Sequence, residues 1–305
     1  YILKSLATKD IKSIKKIDKN YTKLLSKYIL DFIKEFSVTT IDFVSSHGHT
    51  ALHDPSNALT YQIGNLRELS NYLGLKVICD FRAQDVKLGG QGAPLVPVGE
   101  SYLFPEYNTL INLGGFANIT KKINDNLIAY DVCPLNIVFN QLSSLIELKY
   151  DDKGKIALSG KINIELFNCL QSIEYYKLDP PKSLGVEWVN DNISPIINKF
   201  SEVSVEDLLH TFSNHFARQI VDNIKSTDKV LITGGGAYND YLIQKIRDLT
   251  KSIIIIPDSE IIEFKESLIF AFLGVLRNLN INNCYSSVTG AIKDHSSGNI
   301  IIPEI

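Results

Sequence analysis

Four residues suited to a strand, Val230–Thr233, run without a break into three glycines, Gly234–Gly236, and the segment 239–250 that follows has helical spacing. The stretch "VLITGGGAYND" leaves a chain few ways to fold. A short, continuously apolar run reads as a strand covered on both faces, and glycines directly after it allow a turn that no residue with a Cβ tolerates well. A helix starting at once on the far side sends the chain back across the sheet. Strands alternating with helices in this way give an α/β architecture with mixed sheets, not a helical bundle or an all-β sandwich.

The same punctuation occurs in "INLGGFANIT" at 111–120, where an apolar run meets Gly114 and Gly115. Residues 107–131 read as a meander of three strands with "NDN" at 124–126 as a hairpin turn, and "PLNIVFNQLSSLIE" follows as a helix. Upstream, residues 1–36 have helical spacing. "TIDFVSS", "YQIGN" and "KVICDF" read as strands, and "LRELSNYLG" is a helix closed by Gly74. Downstream, Ser204 caps an amphipathic helix whose apolar face is Leu208, Leu209, Phe212, Phe216, Ile220 and Ile224. "SIIIIP" is a buried strand and "KESLIFAFLGVLRNL" a largely buried helix. The loop "KLGGQGAPLVP" is rich in glycine and proline, and a domain boundary is expected soon after it, near Pro105.

Composition excludes more than it selects. The 305 residues are 45% hydrophobic and 21% charged, with a formal net charge of −3, so neither nucleic acid nor an anionic membrane is expected as a partner. Cys79, Cys133, Cys169 and Cys284 are widely spaced and form no CxxC, which fits free thiols in a reducing, cytoplasmic compartment. No run approaches the roughly 20 apolar residues of a membrane span.

Chemistry concentrates in five places. The glycines at 114–115 and 234–236 can let backbone N–H groups converge on an anion; a plain hairpin bulge explains the first pair equally well, but two such turns together favour nucleotide. Asp131 ends a strand just before a helix, where it can act as general base, hold a cation through water, or simply cap the helix. Asp80, Arg82 and Asp85 border the glycine-proline loop; Arg82 suits a carboxylate or sugar hydroxyls, or forms an ion pair with either acid. "SSHGHTALH" places His47, His49 and His53 after a strand. A metal set would need ligands from elsewhere that the remaining histidines do not supply, so contact of His47 or Thr50 with a polar substrate is preferred. Glu266 is expected in the first turn of its helix, as a dipole partner or a substrate contact.

Taken in order, "SHGHTALH", "YQIGN", "DFRAQDVKLGGQGAPLVP", "INLGGFANIT", "AYDVCPLN", "YDDKGKIALSGKI", "PKSLGVEW", "ITGGGAYN", "ESLIFAFLG" and "SVTGA" resemble the anhydro-N-acetylmuramic acid kinase family. The resemblance implies two actin- and sugar-kinase-like α/β lobes with ribonuclease H-like cores, mixed sheets and flanking helices, closing over ATP. Residues 1–106, with about 286–305, would form the first, sugar-binding lobe; 107–285 would form the second, holding ATP and the catalytic base. It implies ATP with Mg²⁺ as cofactors and a small amino sugar as substrate. ATP would phosphorylate O6 while water opens the 1,6-anhydro ring, giving N-acetylmuramate 6-phosphate for cell-wall recycling. Asp131 would be the base. Gly114, Gly115 and Asn118 would form a phosphate hairpin, and Gly234, Gly235, Gly236 and Asn239 an adenosine and phosphate loop. Arg82, Asp85, Gln91, His47, Thr50 and Glu266 are the candidate sugar contacts, no residue is assigned to metal, and the oligomeric state stays open between monomer and homodimer.

The family's first phosphate hairpin, a glycine-rich Ser-Gly-Thr-Ser-type run, does not occur before residue 41, and the expectation is that it precedes Tyr1 in the full protein. The family run Asp-Thr-Gly-Pro-Gly is here "DVCPL", which keeps the Asp and Pro. Two other readings stand beside the kinase: an inactive nucleotide-binding relative on the same fold, and a His-dependent metallohydrolase.

Overall fold

The computed structural model describes residues 3, 6, 9–123 and 126–304, and the turn expected at 124–126 falls largely outside them. Its strands are β1 (Val44–Ser46), β2 (His49–Asp54), β3 (Leu59–Ile63), β4 (Val77–Cys79), β5 (Thr109–Leu113), β6 (Phe116–Ile123), β7 (Asn126–Pro134), β8 (Lys229–Thr233), β9 (Ile253–Ile255) and β10 (Asn299–Ile301). The chain divides into two compact units, Tyr1–Leu103 with Glu266–Ile305, and Phe104–Lys265. Among the described residues no helix is long and apolar enough to cross a membrane.

The second unit is built on a five-stranded sheet in the order β7-β6-β5-β8-β9. β5, β6 and β7 are an antiparallel meander, and β5, β8 and β9 run parallel. An antiparallel meander extended by parallel strands that return through helices is the ribonuclease H-like arrangement. Helix Val205–Asp222 packs on β7 and on the helices Asn136–Ser144, Ile164–Gln171 and Asp240–Leu249. Leu208, Leu209, Phe212, Phe216 and Ile220 are the apolar face read from its periodicity, and all are buried; they meet Ile111, Ile119, Val132 and Ile232 of the sheet in one core. Ser204 Oγ accepts from Asp207 N at 3.2 Å. Asp207 does not reciprocate: its Oδ1 accepts from Lys161 N at 2.6 Å, so the expected capping pair is opened to hold the 160–163 loop.

In the first unit β4 sits between β1, parallel to it, and β10, antiparallel. β2 and β3 form a separate hairpin. The sequence reading takes "HGHT" as loop; the chain instead re-enters a strand at His49. The long helix Ile11–Glu35 starts at Asp10, whose Oδ1 accepts from Lys12 N and Ser13 N at 2.9 and 3.0 Å. Residues 96–103 at the end of the glycine-proline loop form a short helix.

Helix Ser259–Asn278 corrects two expectations. Asp258 caps it, accepting from Ile261 N at 3.0 Å, so it starts six residues before Lys265 and Glu266 lies two turns inside it. Its residues Ile269, Phe270, Leu273 and Leu276 pack on Ile78, Phe81, Leu95 and Val98. The return to the first unit therefore begins at Glu266, not near residue 286.

Phe212 is fully buried in the second unit's core. Phe212→Ala is expected to lower stability by about 3–5 kcal/mol, read as a shift of the urea midpoint, because a side chain deep in a packed interior leaves a cavity behind.

Candidate functional site

In the second unit the sequence candidates gather where β5, β7 and β8 end and β6 begins. Register places Thr233 beside Asn112, Asn112 beside Asn118, and Asn118 beside Asp131. Paired residues of neighbouring strands project to the same face, roughly 4.5–5.5 Å apart. A polar row thus crosses four strands, Thr233–Asn112–Asn118–Asp131. A bulge between Ala117 and Asn118 sets its last step, since Val132 has no partner opposite it.

The two glycine turns close on Asn112 and Leu113. At Gly234 φ is +81° and ψ 167°, a conformation essentially reserved for glycine. A Cβ there would strike Asn112 Oδ1 and come within 2.9–3.0 Å of Leu113 backbone atoms. One at Gly236 would come within 2.7 Å of Leu113 Cβ. One at Gly114 would come within 3.3 Å of Asn112 Nδ2. Gly115 and Gly235 differ from these: both are exposed, and nothing stands within 4 Å of where a Cβ would go. Three glycines answer to packing or turn geometry, and two open onto free space.

The carbonyl side of the first turn is already used. Gly115 O accepts from Leu135 N at 2.8 Å and Ile137 N at 3.2 Å, Gly114 O accepts from Asn136 Nδ2 at 2.7 Å, and Leu113 O accepts from the same amide at 3.0 Å. In the second turn Gly235–Tyr238 forms a 3₁₀ turn before the α-helix, and Asn239 caps that helix through Leu242 N at 2.9 Å. Asn239 therefore has a structural task in addition to any ligand contact.

Asp131 is half-buried on β7, which continues through Pro134 before the next helix starts at Asn136. It is therefore no N-cap, and Pro134 precedes the helix. Leu184 N donates to Asp131 Oδ2 at 2.8 Å, Asp131 N donates to Lys182 O at 3.1 Å, and Tyr175 Oη donates to its carbonyl at 2.7 Å. The "PKSLGVEW" segment fixes this strand end. Burial pushes the carboxyl pKa up, and the single amide donor only partly offsets it.

The first unit assembles a second group. Arg82 Nε donates to His47 Nε2 at 2.9 Å, and Arg82 Nη1 donates to Gly92 O at 2.6 Å. His47 Nε2 is thus an acceptor, so Nδ1 carries the proton and donates to Gly48 O at 2.9 Å. Burial, then the Arg82 charge, lowers the His47 pKa to about 4, so the ring is neutral at pH 7. Glu266 is exposed and is the leading charge that offsets the burial of Arg82. Arg82 makes its hydrogen bonds with neither Asp80 nor Asp85, the ion pairs read from the sequence. Asp80 ends β4 with φ +57°, rare for a residue with a side chain, held by Asn65 and Asn299 at 3.0 Å each.

Three further sugar candidates part company here. Asp85 is wholly buried, with Oδ2 accepting from Gly92 N at 2.7 Å and Oδ1 from Thr289 Oγ1 at 2.7 Å. It shapes the 85–92 loop and presents no surface to a ligand, which corrects its reading as a contact. Gln91 is exposed on that loop, its N donating to Thr289 O at 2.8 Å. Thr50 is exposed on β2 opposite Gln62. Sequence reasoning missed Asn112, Asn136 and Tyr175, whose roles arise only from strand register and from the 175–184 segment reaching β7; an asparagine just before a glycine pair was the one local hint.

Residues 2–303 match the family model described as anhydro-N-acetylmuramic acid kinase. The chain belongs to the anhydro-N-acetylmuramic acid kinase family. An anhydro-N-acetylmuramic acid kinase of Clostridioides difficile (strain 630) is 36% identical over 292 residues, covering 87% of this chain and 76% of that one. One from Bacillus cereus (strain Q1) is 34% identical, covering 88% and 78%. Among solved structures, the activator of the 2-hydroxyisocaproyl-CoA dehydratase from Clostridium difficile with bound ADPNP aligns at a TM-score of 0.39 and 19% identity, covering 61% of this chain and 67% of that one.

Gly234→Ala is expected to cost about 1–3 kcal/mol in urea unfolding, the usual strain of a side chain in such a backbone region. Gly235→Ala should stay within about 0.5 kcal/mol of wild type, as at an open surface position. Equal stability of the two variants would contradict the different surroundings of these glycines.

Proposed function

We propose that this protein is an ATP-dependent kinase that opens the 1,6-anhydro ring of anhydro-N-acetylmuramic acid and phosphorylates O6, giving N-acetylmuramate 6-phosphate and ADP. The observation that carries the reading is the half-buried Asp131, one strand step from Asn118 and two from Asn112, at the end of a sheet where two glycine turns open, in a chain of this family. In this reading the amides around Gly115 and Gly235 receive phosphate oxygens, because there the backbone can be approached without a side chain in the way.

Asp131 removes a proton from water. The water oxygen bonds to C1, the C1–O6 bond breaks, and its electron pair goes to O6. O6 attacks the γ-phosphorus, the bond to the β-phosphate oxygen breaks, and ADP leaves; the proton on Asp131 then passes to solvent. A fixed carboxylate whose pKa is raised by burial is a stronger base than an exposed one. Phosphoryl transfer asks chiefly for positioning and charge neutralisation. Mg²⁺ held by the ATP phosphates and water would neutralise the transferring group, since the ion keeps most of its ligands as water and phosphate oxygen.

In the first unit, His47, Arg82, Gln91 and Glu266 are assigned to the sugar. A neutral His47, held by Arg82, offers hydroxyls a fixed polar edge. That use of both ring nitrogens speaks against the metallohydrolase reading, which needs a free imidazole lone pair. A cytoplasmic setting and a small-molecule partner complete the proposal.

Asp131→Asn is expected to cut turnover by about 10²–10⁴-fold, the usual worth of a general base, with ATP affinity retained. Wild-type kcat/KM should fall on the acid side through a pKa above the ordinary value of about 3.9 for aspartate. Burial favours the protonated form of this group, so its contribution to stability is full at low pH and lost as pH rises through its raised folded pKa. Asp131→Asn should therefore be no less stable than wild type at pH 7. Near-normal turnover in this variant would remove Asp131 from the mechanism; ADP formation without phosphosugar in the wild type would favour the inactive relative.

Gly235→Val is expected to weaken ATP binding at least tenfold with the fold intact, measured by calorimetry beside a thermal melt. Unchanged affinity would move the nucleotide away from this turn.

A further inference from the structure

Asp85, Cys284 and His295 meet inside the first unit. Asp85 is 0% exposed, Cys284 1% and His295 5%. Each offers one metal-ligating atom, and the three atoms lie within 4.8 Å of one another. Cys284 and His295 form an isolated antiparallel bridge, with Cys284 N donating to His295 O at 3.1 Å and His295 N to Cys284 O at 3.0 Å. Such a pair sends both side chains to one face. Cys284 Sγ stands 3.0 Å and His295 Nε2 3.6 Å from the same oxygen, Asp85 Oδ1.

His295 carries the decisive oddity. Its Nδ1 lies 3.1 Å from Lys293 O, which can only accept, so the ring proton sits on Nδ1. Nε2 is buried with no hydrogen-bond partner, 3.6 Å from the carboxylate oxygen Asp85 Oδ1. A buried ring nitrogen facing a carboxylate at that distance calls for a positive centre between them. Arg82 does not fill that role: its hydrogen bonds go to His47 and Gly92.

A thiolate, an imidazole and a carboxylate are the donors Zn²⁺ prefers. Bonds of about 2.0–2.3 Å in a tetrahedral site put ligand atoms roughly 3.3–3.8 Å apart, so the spacings here need only small adjustment. The surroundings match those of bound metals, in which the histidine's second nitrogen and the carboxylate are both held by outer partners. Lys293 O holds His295, while Thr289 Oγ1 and Gly92 N, each at 2.7 Å, hold Asp85.

We propose that Asp85, Cys284 and His295 form a buried structural Zn²⁺ site that ties the 85–92 loop to the C-terminal segment of the first unit. On uptake the Cys284 S–H bond breaks, its proton goes to solvent and sulfur bonds to the ion. The two anionic ligands then balance the 2+ charge, and a water completes the shell. The site holds the loop from beneath and takes no part in phosphoryl transfer.

The test strips the full chain with a chelator and reloads it with Co²⁺ alone. One ion per chain with a near-ultraviolet sulfur-to-cobalt charge-transfer band, displaced by Zn²⁺ and accompanied by release of one proton, is expected. Cys284→Ser should abolish the band, and His295→Gln should weaken Co²⁺ binding at least tenfold while the thiol remains. No band in the wild-type chain at stoichiometric Co²⁺ would overturn the site. A band that survives in Cys284→Ser would overturn it as well.

Discussion

The closeness of Gly234 and Gly236 to Leu113 is the contact on which the second unit's chemistry rests. Main chain meets main chain there, and a single methyl group on Gly234 would have to displace Asn112 Oδ1 and Leu113. Because the two turns share one neighbour at the end of β5, they are held in register with each other, and the polar row from Thr233 to Asp131 inherits that register. Preorganisation of this kind lets backbone amides act on charge without first rearranging.

The first unit achieves order by another route. A wholly buried carboxylate, Asp85, gathers donors from its own loop and from the chain's last segment. Arg82, three residues earlier, is left to meet His47 and Gly92. One acid of the "DFRAQD" stretch is structural, and the arginine beside it reaches the group assigned to the sugar. The interior residue makes the exposed Gln91 loop a defined surface.

What could be read from the sequence was whatever is local. A strand running into glycine, an Asp-initiated helix and an apolar face at helical spacing each depend on neighbours a few residues away. The three-strand meander and the helix Val205–Asp222 were legible for that reason. Asn112 was not, because its importance comes from pairing with Asn118 and from glycines on a different strand. Asp85 looked like a ligand residue because its partners Cys284 and Thr289 lie 199 and 204 positions away. Glu266 was placed too near a helix start because the helix was read from Lys265, although Asp258 is the cap. "HTALHD" carries no element in the local reading after the strand before it, yet it pairs with β3.

The first glycine turn also has a chemical polarity. Leu113, Gly114 and Gly115 give their carbonyl oxygens to the start of the helix behind them. Lone pairs already engaged inward cannot dehydrate a sodium or potassium ion, so a cation arriving from solvent finds little to replace its water. A solute rich in negative oxygen faces no such handicap. On the proposed reading, the way the hairpin is anchored would make it a rectifier of charge, discriminating by sign before any side chain has been consulted.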